Sequence, residues 1–258
     1  MIRRFLALCL LITLAGCGLN SGRSQADQDR DGRMLAAAIQ AVDSQGTGFA
    51  MDESLVLTGG GVPSGQALSV HATSSDGVAR EGNARLTYHI QSGRSGVAYD
   101  MFLSGTQLYA KRHGTEQWLK TPLSSTTSFF PALRLELVRE TVLLAASVSG
   151  SSLTHTSAGF ARKYVVKPAA DQLEQLQAIV VQGRSEATFL KGASGELDLF
   201  FGVTGDRLQR VEVHVTGVDP SGGTRQRVDN WVDLRPARVA PIQPPAAASP
   251  VAPEGIFQ

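Results

Sequence analysis

The chain has 258 residues, of which 42% are hydrophobic and 18% are charged. Its 24 basic and 23 acidic side chains nearly cancel, which argues against nucleic acid as a partner and against a basic membrane-binding patch. This length and composition allow an ordinary hydrophobic core, in one large domain or two small ones.

The N-terminal segment has the pattern of a bacterial lipoprotein signal peptide. Arg3 and Arg4 precede an unbroken apolar run over residues 5–14, which is shorter than the roughly 20 residues needed to span a bilayer. The run ends in the sequence LAGC at residues 14–17, which matches a lipobox. In a lipobox, small residues precede a cysteine that receives diacylglycerol before the chain is cut on its amino side. We therefore expect Cys17 to be lipidated and to hold the protein on the extracytoplasmic face of the cell membrane.

The cysteine content agrees with export. The chain has two cysteines, Cys9 and Cys17, and Cys9 would leave with the signal peptide. The mature protein then has one cysteine, at its first position, and no internal disulfide. The alternative is an ordinary secretory signal that contains a cysteine by chance.

Composition divides the chain into four segments. Residues 1–16 form the predicted signal peptide, and residues 17–30 form a polar tether that we expect to be flexible. Residues 31–242 carry the helical and alternating patterns of a single folded domain. Residues 243–258 are rich in Pro and Ala, which predicts a disordered, extended tail.

The folded domain opens with a predicted helix. Apolar side chains recur at helical spacing between Met34 and Val42, and Gly46 supplies a stop. Residues 27–32 copy the opening of a calcium loop, with carboxylates at alternate positions and a glycine. The twelfth position of such a loop should be a bidentate Glu, but it is Ala38. We therefore interpret the segment as an acidic helix start that complements the helix dipole, and we expect no metal site.

Alternation of apolar and polar residues then predicts four antiparallel strands with one buried face. The runs are bounded by clusters of Gly, Ser, Thr and Asp, notably residues 58–61 and 74–77. The apolar positions that share a parity are Phe49, Met51, Leu55 and Leu57, then Leu68, Val70 and Ala72, then Leu86, Tyr88 and Ile90, and finally Val97, Tyr99, Met101 and Leu103.

A long helix is predicted after Pro131, which suits a first helical turn. It carries two apolar stripes, so it should be buried on several sides or face an apolar cavity. The first stripe consists of Leu133, Leu137, Leu144 and Val148, and the second of Leu135, Val138, Val142 and Ala145.

The second half of the domain repeats the alternation of strands. A short helix with Leu173, Leu176 and Ile179 follows the first of its strands, and a hairpin turn is predicted at residues 204–206. The predicted strands cover residues 160–167, 195–203, 207–217 and 226–234. Together these elements predict an α+β fold, in which a strongly curved antiparallel sheet (a half-barrel) wraps over a few helices.

Four parts of this domain have patterns in common with a known family. They are residues 105–111 followed by 118–120, residues 160–173, residues 208–213 and residues 240–244. These strand patterns resemble those of the mycobacterial LppX/LprG-type lipoproteins. The resemblance implies a half-barrel like that of the LolA/LolB-type lipoprotein carriers, with acyl chains of lipids or glycolipids held between sheet and helices.

A cavity for acyl chains would need apolar walls, because each buried methylene contributes about 0.8 kcal/mol. The alternative is that the same side chains meet and form a filled core. The candidate ligand-binding residues are Leu86, Tyr88, Met101, Phe129, Phe130, Leu137 and Leu144.

Nothing in the sequence supports an enzyme. No nucleophile elbow, phosphate loop or zinc-protease helix occurs, and Ser151, Ser152 and His155 have no evident orienting acid. We expect no catalytic residues, no cofactor and a monomer. The histidines lack ligand spacing and are expected on the surface; they are His71, His89, His113, His155 and His214.

The leading hypothesis is a membrane-anchored, exported lipoprotein that binds or transfers lipid or glycolipid acyl chains in an apolar cavity. The alternative is a non-enzymatic interaction or structural lipoprotein of the cell envelope with a filled core. A third possibility, an anchored hydrolase, would need a polar cleft with a nucleophile, a base and an orienting acid in reach. The expected partners are the membrane, through the N-terminal lipid, and a lipid or glycolipid ligand.

Overall fold

The computed structural model describes residues 25–43, 46–58, 68–80, 83–92, 94–122, 135–173, 176–177, 190–204, 207–252 and 255–256. The predictions for Cys17, Phe129, Phe130 and the glycine cluster at 59–61 lie outside these residues. The described helices are α1 (Gln25–Asp43), α2 (Leu135–Leu143) and a 3₁₀ turn at Ala170–Gln172. The strands are β1 (Thr47–Thr58), β2 (Leu68–Arg80), β3 (Asn83–Ser92), β4 (Ser95–Ser104), β5 (Gln107–Arg112), β6 (Leu119–Pro122), β7 (Ser147–Thr156), β8 (Gly159–Lys167), β9 (Lys191–Gly202), β10 (Leu208–Val218), β11 (Arg225–Pro236) and β12 (Ser249–Pro250).

All twelve strands belong to one sheet. Their order is β12-β6-β5-β4-β3-β2-β1-β11-β10-β9-β8-β7, so the end strands of the described sheet do not pair with each other and the sheet is open. Every pairing is antiparallel except that of β12 with β6. Two meanders, β1 to β6 and β7 to β11, are joined where β1 pairs with β11. The predicted antiparallel sheet is therefore confirmed, although the described helices are fewer than predicted.

One face of the sheet, which we call the inner face, packs against both helices; the opposite face is the outer face. The inner face carries core side chains such as Met101, Leu199 and Val213. These side chains alternate with outer-face residues because successive side chains of a strand point to opposite sides. The helices add their own buried stripes to the same core, namely Leu35, Ile39 and Val42 from α1 and Leu135, Val138 and Val142 from α2.

Helix α1 confirms the helix predicted between Met34 and Val42. It begins earlier than expected, at Gln25, within the segment assigned to the tether, and Asp27 lies in its first turn. Residues 27–32 are helical throughout, so they do not form the turn that a calcium loop requires. The interpretation as an acidic helix start is confirmed.

The turn expected at residues 74–77 is wrong, because β2 continues through it as a bulge. The pairing of β2 with β3 shifts register between Thr73 and Val78, and its pairing with β1 shifts between Phe49 and Met51. Gly77 permits this arrangement, since a Cβ there would lie only 2.2 Å from the ring of the buried Phe49. The Ser and Gly content of this segment reflects a bulge rather than a chain reversal.

Helix α2 is shorter than the sequence predicted. It ends at Leu143, and Val148, which was assigned to its first stripe, lies in β7 opposite Val166 of β8. The segment from Ser147 is rich in serine and glycine, which are weak helix formers, so pairing with β8 prevails over helical spacing. The stripe that is buried is the second one, with Leu135, Val138 and Val142.

The Pro- and Ala-rich tail is ordered where the structure describes it, which corrects the prediction of disorder. Arg80 donates a hydrogen bond to the carbonyl of Val239 at 2.8 Å, and β12 pairs with β6. Ile256 is 1% exposed and belongs to the core cluster. We call residues 237–256 the C-terminal strap. A few apolar side chains and edge hydrogen bonds hold it in place, although its composition lacks the periodicity by which a core segment is recognised.

We expect Gly77→Ala to lower the free energy of unfolding by about 3 kcal/mol, because the added methyl group overlaps the buried ring of Phe49. Gly96→Ala is the matched control, since its Cβ would make only an ordinary contact, 3.6 Å from the carbonyl oxygen of Ile90. Urea denaturation of both variants measures the difference. Equal stabilities would contradict the close packing of the bulge against β1.

Candidate functional site

Three of the predicted ligand-binding residues lie together on the inner face. Leu86 pairs with Met101 across β3 and β4, and Tyr88 is two residues further along β3. All three are buried in the core cluster. Leu137 of α2 is partly buried against the same cluster, whereas Leu144, just beyond α2, is 56% exposed and lies outside it. Four of the predicted residues thus lie in or against one core cluster, and Leu144 lies outside it.

A row of polar side chains crosses this apolar face. The hydroxyl of Tyr88 donates a hydrogen bond to Oε2 of Glu53 at 3.2 Å. The strand between them, β2, presents the small Ala72 opposite Glu53, which leaves room for the Tyr88 ring to reach β1. On its other side Glu53 is paired with Asn230 of β11. We call Tyr88, Glu53 and Asn230 the polar row.

Asn230 is the unsatisfied member of the polar row. Its residue is 2% exposed, and its Nδ2 atom has no hydrogen-bond partner. Leaving a buried amide donor unpaired costs about 1–3 kcal/mol, so such a group calls for an explanation. The polar row is therefore the one place on the described inner face where a carboxylate, a phenol and an unpaired amide adjoin.

The inner face also extends to an exposed corner of the sheet. Leu153 on β7 and Phe160 on β8 are 66% and 60% exposed. The N–H of Val203 donates to the carbonyl of Phe160 at 3.2 Å, which places Val203 beside this hairpin. Phe160 has the same strand parity as the core residue Tyr164, so both face inward. We call Leu153, Phe160 and Val203 the open corner.

The outer face carries a network of charged side chains instead. Oδ2 of the buried Asp198 is 2.5 Å from Nζ of Lys163 and 3.7 Å from Nε2 of His214. Nδ1 of His214 is 2.6 Å from Oδ1 of Asp229, and its Nε2 is 3.7 Å from Oε2 of Glu212. One imidazole is thus surrounded by three carboxylates.

These carboxylates raise the pKa of His214 to about 10. The hydrogen bond with Asp198 contributes most, followed by that with Glu212, and Asp229 adds a smaller share. Burial of the imidazole opposes them by lowering its pKa. The imidazole is therefore a cation at neutral pH. The sequence had predicted a surface histidine here, but His214 is only half-exposed.

The same network contains the described group whose spacing would suit a metal ion. Asp198, Glu212 and His214 offer ligand atoms that lie within 4.8 Å of one another. Lys163 already pairs with Asp198, Arg210 pairs with Glu212 at 3.1 Å, and His214 is protonated. A metal ion would have to displace these positive charges. The group is therefore a charge-compensated ion network, which we interpret as structural.

Sequence reasoning missed both the polar row and the ion network. Glu53 and Asn230 of the polar row come from strands more than a hundred residues apart and meet only through the pairing of β1 with β11. The ion network joins neighbouring strands from β8 to β11, whose registers could not be read from the sequence. The available signal was a polar residue at an inward position of an alternating strand. Asn230 shows it, since it stands between the buried Val228 and Val232.

No protein-family model and no curated protein sequence matches the chain. Solved structures with a similar course of the chain include LprF from Mycobacterium bovis, at 15% identity and a TM-score of 0.45, covering 82% of this chain and 95% of that one. The Mycobacterium tuberculosis lipoprotein LppX is similar at 11% identity and a TM-score of 0.42, covering 84% and 99%. An uncharacterized conserved protein from Thermus thermophilus is similar at 9% identity and a TM-score of 0.33, covering 86% and 98%.

The resemblance predicted from the strand patterns thus recurs among solved structures, since LprF and LppX are of the LppX/LprG type. Identities of 15% and below, with TM-scores under 0.5, are too low to assign a function. Among the described residues, no helix is both long enough and apolar enough to cross a membrane.

The ion network predicts a specific pH dependence of stability. The pKa of His214 is about 10 in the folded protein and 6.5 as its ordinary value, so its stabilisation is complete below pH 6.5 and is lost as the pH rises toward 10. Urea denaturation should show that His214→Gln is less stable than the parent protein at pH 6, and that this difference shrinks by pH 10.

His89→Gln, at an exposed position of β3, is the control and should show no such trend. A stability difference for His214→Gln that stayed constant from pH 6 to 10 would contradict the protonated imidazole.

Proposed function

We propose that this protein is an exported lipoprotein, anchored to the extracytoplasmic face of the membrane through Cys17, that binds or transfers lipid or glycolipid acyl chains. The lipobox at residues 14–17 supports the anchor. The apolar inner face of the sheet supports the acyl-chain site. We infer a non-enzymatic role, since the sequence contains no nucleophile elbow, phosphate loop or zinc-protease helix.

The observation that carries this proposal is the open corner. A soluble protein normally buries the apolar face of its sheet, and exposed apolar patches mark surfaces that bind something. Within the described residues, the apolar face that lies under the helices runs outward to Leu153 and Phe160, whose side chains are exposed. An acyl chain entering at this corner would stay in contact with apolar surface along its path to the core.

The energy available to such a chain is large enough for binding. Each buried methylene contributes about 0.8 kcal/mol, so ten methylenes would contribute about 8 kcal/mol before the costs of binding are subtracted. Arg162 lies on the same face as Phe160 and pairs with Leu153 across β7 and β8. Its exposed guanidinium is a suitable contact for the polar end of a lipid at the entrance.

We propose Leu86, Tyr88, Met101 and Leu137 as residues that contact the bound chain, together with Phe129 and Phe130. We keep Leu144 as a proposed contact with the bound chain, although its side chain is exposed and lies outside the core cluster. For bound lipid to reach Leu86 and Met101, the helices must move away from the inner face, since both side chains are buried in the absence of ligand.

A second function is favoured by that burial. Leu86, Tyr88 and Met101 pack within the core cluster, as expected of an envelope lipoprotein with a filled core. In that case the open corner would be a contact surface for another protein of the envelope. The two functions differ in whether the protein takes up lipid.

The anchor is tested by Cys17→Ser. Cells grown with radiolabelled palmitate should label the parent protein and leave the variant unlabelled, because the thiol is the acceptor of the diacylglycerol. The variant should also leave the detergent phase in Triton X-114 partitioning. Equal labelling of both proteins would exclude Cys17 as the anchor.

Lipid uptake is tested by native mass spectrometry of the protein purified gently from a bacterial host. The parent protein should carry additional mass that dissociates as phospholipid or glycolipid. Phe160→Asp should lose at least tenfold of this occupancy, because a charge at the open corner opposes the entry of an acyl chain. Val218→Asp is the matched control, since Val218 is also an exposed apolar residue but lies at the far end of β10.

A parent protein without bound lipid, and without uptake of added lipid, would favour the filled-core alternative.

A further inference from the structure

The charges of the chain are distributed unevenly around the open corner. The chain has 23 acidic residues, yet none of them lies in the segment 143–167, which contains β7 and β8. The same hairpin carries three basic side chains, Arg162, Lys163 and Lys167. The near balance of charge over the whole chain therefore does not extend to this hairpin, which is basic.

Two of the three cations are available to a partner. Lys163 pairs with Asp198, so it belongs to the ion network. Arg162 and Lys167 are exposed, and neither has an acidic partner within the described part of the chain. The hairpin also carries the exposed Leu153 and Phe160 of the open corner. Exposed apolar and basic side chains without acidic ones are typical of a surface that binds at a membrane interface.

The carboxylates that touch the hairpin are already neutralised. Ser157, in the turn between β7 and β8, donates a hydrogen bond to Oδ2 of Asp233 at 2.8 Å. The same oxygen accepts a hydrogen bond from the guanidinium of Arg210 at 2.9 Å. Asp198, on the neighbouring β9, pairs with Lys163. These two carboxylates therefore do not cancel the positive charge of Arg162 and Lys167.

Helix α1 places the predicted lipid anchor within reach of this hairpin. Gln28 and Gly32 of α1 line a cavity of about 290 Å³ together with Val148 of β7. Cys17 precedes the start of α1 at Gln25 by eight residues, which span at most about 28 Å when fully extended. The next exposed apolar residue of β7, Leu153, is five residues beyond Val148, or roughly 17 Å along the strand. A membrane that holds Cys17 is thus close enough to touch the hairpin.

We propose that the β7–β8 hairpin docks on the anionic surface of the membrane that holds Cys17. Leu153 and Phe160 enter the boundary between headgroups and acyl chains, and Arg162 and Lys167 contact the phosphate groups. This inference rests on the proposed function, because the anchor brings the membrane near, and it adds the partner of the open corner. An acyl chain then passes from the bilayer to the inner face without crossing water.

Two observations favour a membrane over another protein as the occupant of this surface. The short tether keeps a bilayer beside the hairpin at all times, so that even a weak contact is populated at the high effective concentration which the anchor creates. The exposed cations match the negative charge of anionic headgroups, which adds electrostatic attraction to the burial of the apolar side chains.

The experiment uses the lipidated protein, reconstituted into vesicles that contain equal amounts of phosphatidylcholine and phosphatidylglycerol. Ala158→Cys, at the exposed turn of the hairpin, carries a nitrobenzoxadiazole dye, and nitroxide groups on the acyl chains quench this dye at close range. Lipid occupies the sulfur of Cys17, so the introduced thiol is the one that reacts. We expect about threefold stronger quenching than for dye on Val218→Cys, an exposed position at the far end of β10.

A pair of charge variants tests the role of the cations. Arg162→Gln combined with Lys167→Gln should lower the quenching at Ala158→Cys to the level found in vesicles of phosphatidylcholine alone. Lys191→Gln combined with Arg225→Gln is the matched control, because both residues are exposed cations at the end of the sheet that includes Val218. This control should leave the quenching at the hairpin unchanged.

The apolar contribution is tested by Leu153→Ser combined with Phe160→Ser. The two replacements remove the side chains that enter the bilayer boundary. Quenching at Ala158→Cys should fall in vesicles of either composition, because the burial of apolar surface does not depend on the charge of the lipid.

The outcomes separate this inference from the proposed function. Weak and equal quenching at both dye positions, for protein that still floats with the vesicles, would overturn the docking surface and leave the anchor in place. The open corner would then be free to contact another protein. Strong quenching that is the same in neutral vesicles and in the Arg162 and Lys167 variant would overturn the preference for an anionic surface.

A parent protein that does not float with the vesicles would overturn the anchor and the docking surface together. Lipid uptake is judged separately, by native mass spectrometry, so none of these results decides whether the protein is a carrier.

Discussion

The pairing of β1 with β11 is the constraint on which the rest of the structure depends. Twelve consecutive residue pairs, from Thr47 with Pro236 to Thr58 with Arg225, join the meander of β1 to β6 to that of β7 to β11. Without this seam the chain would hold two separate sheets, each with an uncovered apolar face. Because the register does not shift, the inward positions of both meanders fall on one continuous face. Helices α1 and α2 then cover part of that face and leave the open corner.

Both faces of the sheet hold buried polar groups. On the outer face every charge of the ion network has a partner, so the buried Asp198 is offset by Lys163 and His214. Replacing one member of such a network costs far more than the pair itself contributes, because the remaining charge is left unpaired. On the inner face Asn230 is left with an unpaired donor. Oδ1 of Asp198 on the outer face is also without a hydrogen-bond partner, so unpaired buried atoms occur on both faces.

The alternation of apolar and polar residues was sufficient to predict the strands. It was insufficient where helical spacing and strand alternation fitted the same residues. The parity of Leu86, Tyr88 and Met101 placed them correctly on one buried face, since alternation reports directly on burial in an antiparallel sheet. Val148 was placed on a helix because its spacing from Leu144 fits both periods, and only the pairing with Val166 decides for a strand. Glu53 and Asn230 could not be joined from the sequence, because their proximity follows from a register between strands at opposite ends of the chain. Ile256 lies in a segment without helical or strand periodicity, so its burial could not be predicted from the sequence.

The C-terminal strap has a consequence for the order in which the protein is made. Ile256 enters the core 20 residues after β11 ends at Pro236. A nascent chain that has completed the seam between β1 and β11 therefore still has a vacancy in its interior. The core is complete only once the strap has been synthesised and has packed against β6 and the interior. Until then the chain presents apolar surface to chaperones and proteases, so the Pro- and Ala-rich segment is needed to finish folding.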